Sequence, residues 1–343
     1  MEEQSTQPAP PPKRSTKPKS SKRRIWLYSL LGVVLLFGSI ATYYVYSFYS
    51  FANNIYVDPK ENQPTTAAAV PTDGSSSPFP IAQPPEWNGD ERINILLLGG
   101  DSRGVKSNAK PRSDTMMLVS IDPVDKSTHL FSLLRDTYVE IPHHGSNRLN
   151  SAITMGGPLL SIETVGNLLD LPIQFYVYTD FEGFISLIDE LGGIDFEVDK
   201  NMKRTDNADN PRYNIKLDKG MQHLDGLTAL QYVRYRSDAL SDFARADRQR
   251  KFLSAIADKM KSTTSLLKLP QVLNGIAPYI ETNIPPNDLL KLARLGMKLD
   301  TSRLAGIQIP PQGQFQSQTI SQMDVLVVDP LQIKEYVKEQ LTK

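Results

Sequence analysis

The chain has 343 residues with 38 Lys and Arg against 38 Asp and Glu, and it contains no cysteine. A disulfide framework, a thiol nucleophile and a Cys-ligated metal are thereby excluded. The formal charge of zero hides an asymmetry: residues 1–24 hold seven cations (Lys13, Arg14, Lys17, Lys19, Lys22, Arg23, Arg24) against Glu2 and Glu3, so the tail carries +5 and the remainder −5, which does not suit a basic nucleic-acid-binding domain.

Residues 1–24 are Pro, Ser, Lys and Arg without a hydrophobic pattern, and read as a disordered basic tail. From Ile25 to Val57 no charged residue occurs. About 20 apolar residues span a bilayer, so a transmembrane helix is expected over 25–48. Trp26 and Tyr28 at one end and Tyr43, Tyr44, Tyr46 and Tyr49 at the other suit the two interfaces. A cleaved signal peptide is the rival reading, at Ser39-Ile40-Ala41, but the apolar run continues past that site. Cations before the span place the N-terminus in the cytoplasm and the rest of the chain outside. Residues 49–90, with Pro59, Pro64, Pro71, Pro78, Pro80, Pro84 and Pro85 among Ser, Thr and Ala, read as a stalk.

One extracytoplasmic catalytic domain is expected over 91–343. INILLLGGDSR is an apolar run ending in Gly-Gly-Asp, a buried strand feeding a tight turn. RSDTMMLVSID gives a second strand from about Thr115 to Ile121. HLFSLLRDTYVEIP gives a third, with Arg135 and Asp136 at its end. RLNSAITMGGPLLSIETVGNLLDLP reads as two helical pieces broken at Gly-Gly-Pro. FYVYTD is a strand, FEGFISLIDELGG a helix, IDFEV a strand, and residues 202–219 a polar loop with a short hairpin. A helix capped by Asp225 carries Arg234 and Arg236 at its end. A second begins at Ser241, two more follow, and a late strand and a terminal helix close the chain. The alternation predicts an α/β fold, a three-layer α/β/α sandwich with a mixed central sheet.

The chemistry gathers between Gln231 and Gln249. Arg234, Arg236, Arg245 and Arg248 occur there with Asp238, Asp242 and Asp247, and the stretch has no Lys. Arg presents a planar fork that matches phosphate oxygens bidentately. Arg245, Arg248 and Gln249 fall at i, i+3 and i+4 of the helix from Ser241. The plainer reading is a solvated helix with internal ion pairs. Against it stand Asp101, Arg103, Arg112, Asp114, Arg135 and Asp136 at strand ends, the ligand edge of α/β sheets. As ordinary structure, Asp101 is a turn residue and Asp114 a polar strand entry. As chemistry, two carboxylates share Mg²⁺, which takes one or two of them and completes its shell with water and substrate phosphate. Arginines beside them suit a diphosphate. His129, His143, His144 and His223 lack metal-ligand spacing, and no Walker, dinucleotide or nucleophile-elbow motif is present.

The ordered pieces NILLLGGDSR, RSDTMMLVSID, LLRDTYVEIP, RLNSA, GGIDFEV, HLDGLTALQYVRYR and SDFARADRQR make the chain resemble the LytR–CpsA–Psr family of cell-wall glycopolymer transferases. Gly100, LLRD, RLNSA and Ala244 depart from the commoner family text without removing a charged group. The resemblance implies a membrane-anchored, Mg²⁺-dependent phosphotransferase moving a glycopolymer from a polyprenyl-pyrophosphate carrier to a peptidoglycan hydroxyl. It implies that Asp101 and Asp114 are the Mg²⁺-associated carboxylates. Arg112, Arg135, Arg234, Arg236, Arg245 and Gln249 would hold the pyrophosphate, joined by Arg148 and Asn150, with Asp242 orienting the arginines and a hydrophobic groove taking the prenyl chain. Its expected partners are the lipid-linked donor, peptidoglycan and membrane lipid, with no nucleic acid. A pyrophosphatase on the same lipids, and a non-catalytic polyprenyl-phosphate-binding module, fit the same residues.

Overall fold

The computed structural model describes residues 21–60, 81–100, 113–205, 211–236, 241–300 and 304–342. The chain divides into two units, residues 1–46 and 47–343. The first holds most of helix α1 (Ser21–Ile55). From Ile25 this helix is mostly apolar, its most apolar 18-residue window has a mean hydropathy of 2.0, and its apolar side chains in that unit are largely exposed, as in a helix whose solvent is lipid.

The second unit contains strands β1 (Ile93–Gly100), β2 (Ser113–Ile121), β3 (Thr128–Leu133), β4 (Thr137–Ile141) and β5 (Gly145–Arg148), then helix α2 (Ala152–Leu169). Strand β6 (Phe175–Asp180), α3 (Phe181–Glu190), β7 (Ile194–Val198), β8 (Met202–Arg204), β9 (Ile215–Leu217) and β10 (Gly220–Leu224) follow. Next come α4 (Gly226–Arg234), α5 (Ser241–Met260), α6 (Thr263–Leu267), α7 (Leu269–Ile276), β11 (Ile280–Thr282) and α8 (Pro286–Gly296). Strands β12 (Ala305–Ile309), β13 (Gln316–Ile320) and β14 (Met323–Val327) lead to α9 (Pro330–Leu341).

The central sheet has the order β11-β6-β1-β2-β3-β12. It is mixed: β1 pairs parallel with β6 and antiparallel with β2, and β12 pairs parallel with β3. The apolar runs are explained by burial of both faces. Leu96 and Leu98 of β1, Leu118 of β2 and Tyr176 of β6 pack with α2 and α9 on one side. Leu97, Met117 and Val177, the alternate residues, face the side that carries α3, α4 and α5. The expected sandwich is therefore found, with its layers set by the two-residue period of the strands.

Two expectations need correction. The segment HLFSLLRDTYVEIP is two strands in two sheets. The Thr137 backbone N–H and hydroxyl both bond to the Leu134 carbonyl, and this turn carries the chain from β3 into the smaller sheet β13-β14-β4-β5. Arg135 and Asp136 sit at that corner. The stalk expected over 49–90 is folded at both ends. Helix α1 runs on to Ile55, where Phe51, Ala52 and Ile55 are buried, and Tyr56 bridges to Thr282. Trp87 is buried too, its indole N–H donating to the Glu91 carbonyl at 2.9 Å. Apolar Phe51 and Ile55, one helical turn apart, join the core with Phe181 and Ile185. The basic tail over 1–20 and the Pro-rich residues 61–80 lie outside the described residues.

Candidate active site

Parallel pairing of β1 with β6 brings their carboxyl ends to one edge, and antiparallel β2 begins there. The register sets Gly100 beside Asp180 on one flank and beside Ser113 on the other. A Cβ at Gly100 would collide with the Tyr178 hydroxyl, so glycine here makes room for that phenol. Asp114 follows immediately. On the helical side, α4 ends in Arg234, and the chain turns extended at Tyr235 before Arg236.

Between the sheet and α3, α4 and α5 lies a cavity of about 380 Å³. Its floor is Leu97, Met117 and Val177, and its walls include Phe184, Leu187, Val233, Phe252, Leu253 and Ile256. The polar residues on its lining are Asp114, Thr115, Thr179, Asp180, Arg204, Tyr213, Arg234, Arg236, Arg245 and Gln249. On α5 the polar contributors come first and the apolar ones later. From Arg245 to Ile256 is eleven residues, about 16 Å at 1.5 Å per residue. One helix thus carries the cavity from a cationic rim to an apolar interior.

The structure brings Asp114, Arg234, Arg236, Arg245 and Gln249 to the lining of this cavity. Arg135 meets it through Asp114: its Nη1 donates to Asp114 Oδ1, and its Nε lies 3.5 Å from Asp136 Oδ2. Gln249 spans the layers, its amide donating to the Thr115 hydroxyl at 2.9 Å and to the Val233 carbonyl at 3.4 Å. Arg148 is turned elsewhere. Its Nε and Nη2 donate to the Asp324 carbonyl at 3.1 and 2.7 Å, and its Nε is 3.5 Å from Asp136. It ties β5 to β14 and is not on the cavity lining. Asn150 is buried beneath Arg135, whose carbonyl accepts from the Asn150 backbone N–H at 3.1 Å. The Asn150 Oδ1 has no hydrogen-bond partner among the described residues. Asp101, Arg103 and Arg112, and the side chain of Asp242, lie outside the described residues.

Arg248 separates from its neighbours. At 100° per residue, Gln249, Phe252 and Ile256 fall within about 40° of Arg245, whereas Arg248 falls about 60° to the other flank. Its guanidinium donates to the Tyr235 carbonyl and stacks 5.3 Å from that ring, at 3% exposure. Sequence reasoning missed Arg204, Asp180 and Tyr213. Asp180 carried a cap signal, accepting from the Gly183 N–H at 2.9 Å, but Arg204 and Tyr213 sit in a polar hairpin region without a motif.

Residues 42–342 match the LytR_cpsA_psr family. The chain is 34% identical over 223 residues to the polyisoprenyl-teichoic acid–peptidoglycan teichoic acid transferase TagV of Bacillus subtilis (strain 168), covering 62% of this chain and 56% of that protein. It thus spans little more than half of TagV. TagU of Bacillus mycoides (strain KBAB4), of the same description, is 30% identical over 291 residues, 84% of this chain and 87% of TagU. The crystal structure of B. subtilis TagV superposes with a TM-score of 0.61 at 29% identity, covering 74% of this chain and 98% of that one. A structure of YwtF (TagT) with bound octaprenyl pyrophosphate gives a TM-score of 0.55 at 26% identity over 76% and 94% of the two chains. An apolar cavity with a cationic rim, on this fold and with this match along nearly the whole second unit, means that the chain belongs to the LytR–CpsA–Psr family.

Proposed function

We propose that this protein is a membrane-anchored phosphotransferase that moves a glycopolymer from a polyprenyl-pyrophosphate carrier to a peptidoglycan hydroxyl. The observation that carries the reading is the cavity along α5, apolar within and arginine-lined at its rim. The prenyl chain takes the apolar part. The pyrophosphate lies at the rim with Arg234, Arg236 and Arg245, and Arg112 and Arg135 complete the cationic set. Helix α1 is the anchor, with its N-terminus cytoplasmic and the second unit outside. The relatives support the same reading, since TagV and TagU are described as teichoic acid transferases and YwtF is seen with octaprenyl pyrophosphate.

In the reaction, the acceptor hydroxyl attacks the phosphorus that bears the glycopolymer. A new P–O ester bond forms, the P–O–P bridge breaks, and polyprenyl phosphate leaves with the bridging oxygen. The hydroxyl proton passes to an aspartate, either Asp114 on the cavity lining or Asp101. Arginine forks neutralise the charge that builds on the departing phosphate, and each such preorganised group is worth ~10²–10³ in rate. Arg135 holds Asp114 in place, and Asp242 orients the arginines of α5. Asp114 is a hard oxygen donor on the cavity lining, of the kind Mg²⁺ takes, and Asp114 and Asp101 would be the residues to hold the ion. The ion, when bound, supplies further charge neutralisation at phosphorus.

The test is the full-length protein in detergent with lipid-linked donor, peptidoglycan and Mg²⁺. The expected products are polymer covalently joined to peptidoglycan and free polyprenyl phosphate. Polymer phosphate released at the same rate without peptidoglycan would make it a pyrophosphatase. Donor binding without turnover would make it a binding module.

A further inference from the structure

Arg234 is held in an unusual setting for a cation on a cavity wall. Its guanidinium carbon lies 4.9 Å from the centre of the Phe181 ring and 5.5 Å from that of Tyr213. Both rings line the cavity with it. They come from distant parts of the chain. Phe181 opens α3, directly after its cap Asp180. Tyr213 closes a 3-10 turn, Pro211–Tyr213, that leads into β9. Glu182 joins them: its Oε1 accepts from the Tyr213 hydroxyl at 3.0 Å, and Arg212 approaches the same oxygen at 3.4 Å while lying 5.7 Å from the Tyr213 ring. The residue next to Phe181 thus tethers Tyr213, and the two rings frame the guanidinium.

The physics favours a definite purpose for such a frame. A guanidinium is weakly hydrated on its faces and carries its N–H donors around its edge. Aromatic rings within about 6 Å attract the cation through their negative faces. Ring contacts therefore restrain the group through its faces, and not through the N–H donors along its edge. A flexible arginine would lose that advantage by wandering among rotamers. Packing alone does not need the Glu182 tether, because an unanchored ring covers apolar surface equally well.

We infer that Phe181 and Tyr213 are positioning residues that hold Arg234 toward the donor's pyrophosphate, with Glu182 fixing Tyr213. This rests on the proposed role of Arg234 in pyrophosphate binding. The rival role for Tyr213 is a plain cavity wall touching the prenyl chain. The two differ in which ligand they affect. A wall contributes to any prenyl chain, whereas a positioning ring contributes only when the head group is charged.

The experiment measures dissociation constants of the full-length protein in detergent for geranylgeranyl pyrophosphate and for geranylgeraniol, the same chain without phosphate. The quantity of interest is the ratio of the two affinities. Tyr213→Ala lowers the pyrophosphate preference about three- to tenfold while geranylgeraniol binding changes less. Tyr213→Phe, which keeps the ring and loses the Glu182 bond, recovers most of that loss. Arg234→Ala lowers the preference at least as far, and adding Tyr213→Ala to it lowers it no further, since both act through one group. Equal weakening of both probes by Tyr213→Ala, while Arg234→Ala still lowers the preference, overturns the positioning role and leaves Arg234 in place. An unchanged preference in Arg234→Ala overturns both. Glu182→Ala, on the exposed side of the frame, is the second variant if Tyr213→Ala does not fold; it removes the acceptor of the Tyr213 hydroxyl and lowers the preference in the same direction, about as far as Tyr213→Phe does. An unaltered ratio there sinks the tether.

Discussion

Arg248→Ala separates a structural arginine from the cationic rim. Arg248 is 3% exposed, donates to the Tyr235 carbonyl and stacks on the Tyr235 ring. That carbonyl lies between Arg234 and Arg236, at the residue where α4 gives way to extended chain. Losing a hydrogen bond from a charged donor costs about 1.5–3 kcal/mol, and the stack adds roughly 0.5–1 kcal/mol. A loss of ~2–4 kcal/mol lowers the melting temperature by roughly 5–10 °C in a domain of this size. Arg236→Ala provides the contrast, because its side chain is only half-buried at the rim. It is expected to lose transfer by ~10²-fold or more with the melting temperature held within about 2 °C. The assay pairs thermal melting of the full-length protein with turnover on purified donor and acceptor. Arg248→Ala melting like the parent while losing all turnover would refute the reasoning, since it would make Arg248 a ligand contact.

Three further outcomes are expected. Chelation of divalent cations with EDTA lowers transfer and Mg²⁺ restores it, whereas in Asp114→Asn restoration is weak; equal rates with and without EDTA count against the carboxylate pair. Melting temperature falls as pH rises above about 10: burial first, then the Asp180 and Glu281 carboxylates, push the Tyr178 phenol up to about 12, and burial likewise raises Tyr176 and Tyr232. The native state keeps protons that unfolded tyrosines release above pH ~10, so stability is full below that pH and declines through the folded values; Tyr178→Phe is expected to soften the decline, and an identical pH profile counts against it. Arg148→Ala weakens the link between β5 and β14 and lowers the melting temperature more than it lowers affinity for geranylgeranyl pyrophosphate; the reverse order returns Arg148 to the binding site.

Much of this arrangement was legible in the sequence, for identifiable reasons. The strand of NILLLGG, the Asp225 cap and the helix from Ser241 each rest on local signals that tertiary contacts reinforce. Asp114, Arg236 and Arg245 were legible because charged groups at strand and helix ends have few ordinary uses in such numbers. What escaped was non-local. The turn at Leu134 depends on a sheet switch that no residue type announces, and Arg148 points to Asp324, 176 positions away. Tyr213 and Arg204 reach the cavity from a polar hairpin, where composition resembles any loop. The folded ends of the supposed stalk were hidden because Phe51 and Ile55 extend an apolar run already long enough to cross a bilayer.

The sequence also leaves open which face of a buried strand borders the cavity, and adjacent residues of β2 decide it. Met117 and Leu118 are 4% and 0% exposed, and burial alone does not distinguish them. Leu118 packs into the core with α2 and α9, while Met117 forms part of the cavity floor. Truncating a core side chain costs the transfer of its atoms plus the void it leaves, about 2–5 kcal/mol for Leu or Met to Ala. At Leu118 both contributions apply, because close-packed neighbours surround it. At Met117 one side already faces empty volume, so the void term shrinks and the cost lies near 2 kcal/mol. Leu118→Ala is therefore expected to melt lower and bind geranylgeraniol as the parent does. Met117→Ala is expected to melt closer to the parent and to change geranylgeraniol affinity, because it alters the cavity floor. If the two variants exchange these behaviours, the prenyl chain lies on the α2 face of the sheet and the cavity beneath α5 is not its site.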